Sequence, residues 1–267
     1  MGVSAQFITT QLDQQPVVAI ELDEVTLRYG SGAKLREIIS PLKLSIEEGS
    51  FVCVLGPSGC GKTSILRMLA GYLSPTEGNI ELFGRSHVKP GPEIGVVFQH
   101  SNLFPWLTVQ SNVAFGLKMA GISKIECKQR TQYILEQVGL AHAGGLYPHQ
   151  LSGGMKQRVA LARTLITEPS ILLMDEPFAA LDAITRETLQ LQLKDLWSSQ
   201  KRTIFFITHD VDEALLLGTR VIVLSPSPGS IKEDIHNTVH NPLSSVSGRQ
   251  STQYAALRDR LVASLKV

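Results

Sequence analysis

Residues 56–63 read Gly-Pro-Ser-Gly-Cys-Gly-Lys-Thr. Gly56 and Gly61 bracket four residues, and Lys62 and Thr63 follow directly. Glycines let a backbone bend tightly and turn consecutive N–H groups toward one small volume. Upstream, residues 50–55 (SFVCVL) form a short, β-branched apolar run, and downstream, residues 64–70 (SILRMLA) are apolar at helical spacing. Strand, glycine loop and helix in that order define a P-loop, which holds the phosphates of a nucleotide. In that reading the loop Gly56, Pro57, Ser58, Gly59, Cys60 and Gly61 wraps the phosphates. Lys62 charges the β- and γ-phosphates, the Thr63 hydroxyl can ligate Mg²⁺, and Ser64 lies in the helix whose positive dipole end meets the anion.

Composition narrows the rest. The chain has 267 residues, 43% of them hydrophobic, enough for one large core with an inserted lobe or for two small domains. Its net charge of +1 comes from dispersed residues, which argues against nucleic acid as a partner. Cys53, Cys60 and Cys127 are too few and too scattered for a disulfide framework or a zinc site, so a reducing cytosol fits. The first 16 residues lack a basic start with an apolar core, and Gln6 stands where a myristoylation motif wants Ser or Thr. No apolar run has the length of a membrane span, so any membrane-crossing part must come from a partner.

Residues 1–16 read as a loose segment. Strands are expected at 17–28, 42–47, 50–55, 93–99, 170–174, 203–208 and 221–224, and helices at 64–70, 128–138, 154–164, 183–200 and 253–265. Strands alternating with helices imply an α/β fold with a mostly parallel sheet covered on both faces. The block from about 100 to 165 is helical and broken by Gly and Pro, and reads as an insertion. The main domain is then expected at 17–236 and a tail with a short helix at 237–267.

A second chemical element is Ile171-Leu172-Leu173-Met174-Asp175-Glu176, a buried strand ending in two carboxylates. The carboxyl ends of strands are where open α/β sheets bind ligands. Asp175 is expected to hold Mg²⁺, directly or through water, and Glu176 to accept a proton from, or polarise, an attacking water. A third element, Leu151-Ser152-Gly153-Gly154-Met155-Lys156-Gln157-Arg158, places Ser-Gly-Gly at the start of a helix, a second anion site of backbone N–H groups.

LSGGMKQR resembles the signature sequence of ABC-type ATPases, with Met155 where many members carry Gln or Glu. The resemblance spans roughly residues 17–230. It implies a P-loop NTPase (RecA-like) core with an antiparallel β subdomain and an inserted α-helical subdomain. It implies nucleotide contacts from Ser152, Gly153, Gly154 and Gln157, and adenine stacking by Tyr29. Gln99 resembles the glutamine that senses Mg²⁺ and the γ-phosphate, Ala180-Leu181-Asp182 the loop that crosses the dimer interface, and His209 the switch histidine. Glu176, His209 and Gln99 are thus the expected catalytic residues, and Thr63, Gln99 and Asp175 the expected metal ligands.

The texture of VFQHSNLFPWLTVQSNVAFGL, MDEPFAALDAITRE and LSPSPGSI is similar to one bacterial import group, the ATP-binding subunits for nitrate, sulfonate and taurine. That resemblance implies ATP and Mg²⁺ as ligands and a peripheral place on the cytoplasmic face of the inner membrane. The partners it implies are transmembrane permease subunits, a periplasmic substrate-binding protein and a second ATPase subunit. A homodimer is expected, with a paralogous partner left open, and a soluble or exporter-type ABC ATPase is the alternative. Residues 103–109 (LFPWLTV) are expected to dock on a membrane partner, with Phe104 and Trp106 as anchors or as filling of the helical lobe. Cys60 reads either as a reactive thiol near a helix N-terminus or as an inert small residue.

Overall fold

The structure, a computed structural model, describes residues 17–30, 32–87, 89–179, 181–239 and 252–266. The loose segment expected at 1–16, Ala180 and most of the tail loop lie outside the described residues.

The strands are β1 (Val18–Tyr29), β2 (Arg36–Glu47), β3 (Phe51–Leu55), β4 (Glu77–Leu82), β5 (Arg85–Ser86), β6 (Ile94–Val97), β7 (Ile171–Asp175), β8 (Thr203–Ile207), β9 (Arg220–Leu224) and β10 (Ile231–His236). The helices are α1 (Lys62–Leu69), α2 (Val109–Val113), α3 (Phe115–Met119), α4 (Lys124–Gln137), α5 (Gly153–Leu165), α6 (Ala183–Gln200), α7 (Val211–Leu217) and α8 (Thr252–Leu265).

Two sheets result. The larger runs β10-β9-β3-β8-β7-β6, parallel throughout except for the antiparallel edge strand β10. The smaller, β2-β1-β4-β5, is antiparallel. Every residue of β3 and β8 is buried, as strands covered on both faces require. The alternation of side chains then splits the interior into two cores. Phe51, Cys53, Leu55, Leu172, Met174, Ile204 and Phe206 face the helical side with α2, α4, α5, α6 and α7. Val52, Val54, Ile171, Leu173, Phe205 and Ile207 face α1 and the antiparallel sheet. The architecture is the expected one, an α/β core with an antiparallel sheet and a helical lobe.

Several boundaries differ from the sequence expectation. The strand expected at 42–47 begins at Arg36, because its first half pairs with Leu27–Tyr29 of β1. The helix expected from 128 begins at Lys124, where the Ser123 hydroxyl accepts from Glu126 N at 3.3 Å and caps it. Strand β4 was not expected, since EGNIEL has little apolar content. Pairing Ile80 with Leu22 and Leu82 with Ile20 makes it a strand.

Candidate functional site

Because β3, β8, β7 and β6 are adjacent and parallel, their carboxyl ends line one edge of the sheet. The glycine loop follows β3, His209 follows β8, Asp175 ends β7 with Glu176 next, and Gln99 lies just beyond β6. Of these, the glycine loop, Glu176 and His209 meet at a cavity of about 410 Å³, which neither Asp175 nor Gln99 lines. One wall is Gly56, Ser58, Gly59, Gly61, Lys62, Thr63 and Ser64; the other is Glu176 and His209, with Ile38 contributed by β2.

The loop is shaped by its glycines. Gly61 caps α1 in the left-handed region (φ 96), and a Cβ there would collide with Ile39 Cδ1. No other residue type meets both demands. Lys62 is 8% exposed, and its ammonium donates to the carbonyls of Gly56 (2.7 Å) and Pro57 (3.0 Å). The cation is therefore held inside its own loop at the cavity wall. Pro57 acts through this carbonyl and does not itself line the cavity.

Cys60 does not fit the reactive-thiol reading. It is 1% exposed and packs in the core under the loop, with its Sγ 3.8 Å from Lys62 Nζ. Buried to that extent, it offers a reagent no access, and its small size suits a position where Gly56 leaves little room.

Thr63 Oγ1 donates to Asp175 Oδ1 at 3.3 Å. Burial pushes the Asp175 carboxyl above the usual range; the Thr63 hydrogen bond opposes the rise, the Glu176 charge adds to it, and Lys62 and Arg67 oppose it. A hydroxyl and a carboxylate side by side, next to the phosphate loop, form an all-oxygen donor set suited to a hard divalent cation such as Mg²⁺. Glu176 adopts a positive φ of 45, and its N–H donates to the Ile207 carbonyl at 3.0 Å. Such a conformation costs a non-glycine residue about 1–3 kcal/mol. Here it sets the carboxylate across from the loop, with Oε2 3.4 Å from His209 Nδ1.

The remaining candidates lie apart from this cavity. Tyr29 ends β1 and is 48% exposed, as an aromatic face for a flat ligand must be, but it does not line the cavity. Gln99 is exposed beyond β6. Ser152 caps α5, its hydroxyl accepting from Met155 N at 3.3 Å, and Gly153 and Gly154 form the first turn. None of these three lines the cavity of the same chain. Gln157 is 5% exposed, and its amide donates to the Phe98 carbonyl at 3.2 Å. Its bond is to the residue before Gln99, so it ties α5 to the end of β6. Arg163 extends that tie, donating to the carbonyls of Asn102 (2.8 Å) and Ser101 (3.1 Å) and lying over the Phe104 ring. Sequence reading missed Arg163, and also Asp210, whose carboxylate follows His209 and caps α7 by accepting from Asp212 N and Glu213 N. Asp210 alone left a signal, an Asp directly before a helix.

A phosphate loop, a carboxylate pair at a strand end and an opposing histidine define a P-loop nucleotide hydrolase. The chain belongs to the ABC transporter family, whose model matches residues 39–179. It is an ATP-binding ATPase of that family. A putative ATP-binding protein of Brucella abortus biovar 1 is 47% identical over 91% of each chain. The taurine import ATP-binding protein of Rhizobium johnstonii is 44% identical, covering 89% of this chain and 91% of its own. The nitrate import ATP-binding protein of Synechocystis is 49% identical over 78% of this chain and 77% of its own. Among solved structures, the dimeric post-hydrolysis state of an ATP-binding cassette bound to ADP and Pi matches with a TM-score of 0.74 at 32% identity, covering 82% of this chain and 98% of that one.

Proposed function

We propose that this chain is the energy-coupling ATPase subunit of a bacterial importer for a small anion of the nitrate, sulfonate or taurine type. It works as a nucleotide-sandwich dimer on membrane permease subunits, at the cytoplasmic face of the membrane, with a periplasmic substrate-binding protein delivering the solute. The observation that carries the dimer is the separation of the two phosphate-binding elements: the cavity holds Lys62, Glu176 and His209, whereas Ser152–Gly154 lie outside it. A second chain placing its α5 N-terminus over the cavity completes the site. The names of the taurine and nitrate relatives support the class of cargo.

When bound, MgATP supplies the γ-phosphoryl group and a divalent charge that neutralises its oxygens. Lys62 and the loop N–H groups orient the phosphates, and Thr63 with Asp175 holds the cation, helped by Gln99. Glu176 takes or polarises the proton of the attacking water, and His209 holds the γ-phosphate side of the site. Tyr29 stacks on the base. Closure follows from nucleotide contacts made from both chains and opening from their loss.

The docking segment divides into two parts. Phe104 packs on Phe115 (ring centroids 4.7 Å apart) and under Arg163, so it fills the lobe. Trp106, 5.7 Å from Phe104, is 71% exposed and remains the anchor for a membrane partner. The test is reconstitution with candidate permease and substrate-binding proteins from the same organism, in vesicles loaded to measure uptake. Solute-dependent stimulation of ATP hydrolysis is expected. Hydrolysis and export, or no response to any permease, overturns the importer reading. In the same system Trp106→Ala is expected to cut assembly or uptake severalfold. The isolated chain should keep its ATP affinity and melt unchanged, since exposed substitutions cost within about 0.5 kcal/mol. Normal uptake with a lowered melting temperature would make Trp106 a structural residue.

A further inference from the structure

Helix α7 starts at Val211, directly after His209 and its capping neighbour Asp210, whose carboxylate accepts from Asp212 N (2.8 Å) and Glu213 N (3.1 Å). A helix of seven residues is too short to hold itself, so tertiary contacts set its position. Its far end is held by Asn237, whose amide donates to the carbonyls of Leu215 (2.9 Å) and Gly218 (2.7 Å). Its first turn is held by α8, about forty residues further along the chain. Tyr254 Oη donates to Asp212 Oδ1 at 2.8 Å, and Arg258 donates to the same carboxylate through Nε (2.8 Å) and Nη2 (3.4 Å).

The grip has a firm base. Leu261 is fully buried in the helical-side core, together with Tyr254. The distal turns of α8 are fixed on β10 by Arg260 Nε to Glu233 (2.8 Å), by Ser264 to Glu233, and by Lys232 Nζ to the Ser264 carbonyl (2.8 Å). We infer that α8 is a strap that positions the His209 turn for hydrolysis, with Tyr254 and Arg258 as positioning residues acting through Asp212. The inference rests on the proposed role of His209.

The test pairs Tyr254→Phe/Arg258→Met with Arg260→Met, a control that breaks the distal ion pair and leaves Asp212 untouched. The Arg258 and Arg260 substitutions break ion pairs on exposed arginines, and Tyr254→Phe keeps the buried ring and removes only the hydroxyl bonded to the exposed Asp212, so both variants are expected to melt near wild type. For the strap variant, kcat for MgATP is expected to fall about 3- to 10-fold at unchanged KM, short of the roughly 100-fold that an ångström of misplacement can cost. Its His209 imidazole resonance should also move in spectra of the histidine-labelled chain, that signal being the one lost in His209→Ala. Arg260→Met should leave both readouts at wild-type values. Tyr254→Phe alone, which removes one oxygen, gives the same direction at smaller size if the double variant folds poorly. Wild-type kcat with an unmoved His209 signal overturns the strap, as does an equal kcat loss in Arg260→Met. If His209→Ala is itself slow while the strap variant is normal, the strap alone falls. If His209→Ala turns over at the wild-type rate, the role of His209 falls and the strap with it.

Discussion

Glu176→Gln is expected to bind MgATP with near wild-type affinity while turnover falls about 10²–10⁴-fold, the usual cost of removing a general base. Three features of the structure support this. The residue follows Asp175 at the carboxyl end of β7, so its carboxylate faces the cavity that the phosphate loop lines. Its left-handed backbone, anchored by the bond from its N–H to the Ile207 carbonyl, places it there at a conformational cost that packing alone gives no reason to keep. Its Oε2 lies 3.4 Å from His209 Nδ1, so the two groups can share a water. The amide of Gln keeps shape and volume but cannot take a proton. Trapping of an ATP-bound dimer should follow, because the contacts that close the site persist. Single-turnover hydrolysis together with nucleotide-binding titration makes the measurement. Hydrolysis at the wild-type rate would remove Glu176 from the mechanism.

Lys62→Ala is expected to act earlier, on binding itself. A hydrogen bond to a charged group is worth about 1.5–3 kcal/mol, so MgATP affinity should drop about 10- to 150-fold, with hydrolysis falling at least as far. Nζ already sits at the cavity wall, held by the Gly56 and Pro57 carbonyls, so little ordering is needed when phosphate arrives. Truncation also removes the ammonium from both carbonyls, leaving Pro57 O only its longer bond from Cys60 N (3.4 Å), which loosens the loop. The melting temperature should therefore be recorded beside the affinity. Lys62→Arg keeps the charge but carries a wider, planar head that the loop was not built to surround. Retained affinity in Lys62→Ala would show that backbone N–H groups and the α1 dipole suffice.

Much of the candidate site is legible in the sequence because its signals are local. A glycine loop ending in Lys62-Thr63, an apolar run ending in Asp175-Glu176, and Ser-Gly-Gly before an apolar helix each describe a backbone that neighbouring residues force. The same locality leaves side-chain direction open. Cys60 stands next to a helix N-terminus in sequence, which favours a thiolate, yet its side chain turns into the core. Gln157 belongs to the signature stretch, yet one helical turn carries it away from Ser152 and onto Phe98 O. Burial and direction are set by what lies across the fold, and no window of sequence contains that information. Strand β4 and helix α7 were missed for a related reason, since pairing and docking make them, and their own periodicity is weak.

By itself, the sequence determined the strongly patterned elements of this protein and the chemistry that they carry, because turns, caps and apolar periodicity act over a few residues. The strand order β10-β9-β3-β8-β7-β6 was decided by the tertiary structure alone. Crossover connections let parallel strands pair in many orders, and the order that buries both faces brings the ends of β3, β7 and β8 to one cavity. The same packing leaves Ser152–Gly154 outside that cavity. It also sets α8 against α7, because a buried Leu261 and a shared Asp212 reward a contact between segments about forty residues apart whose partner neither sequence names.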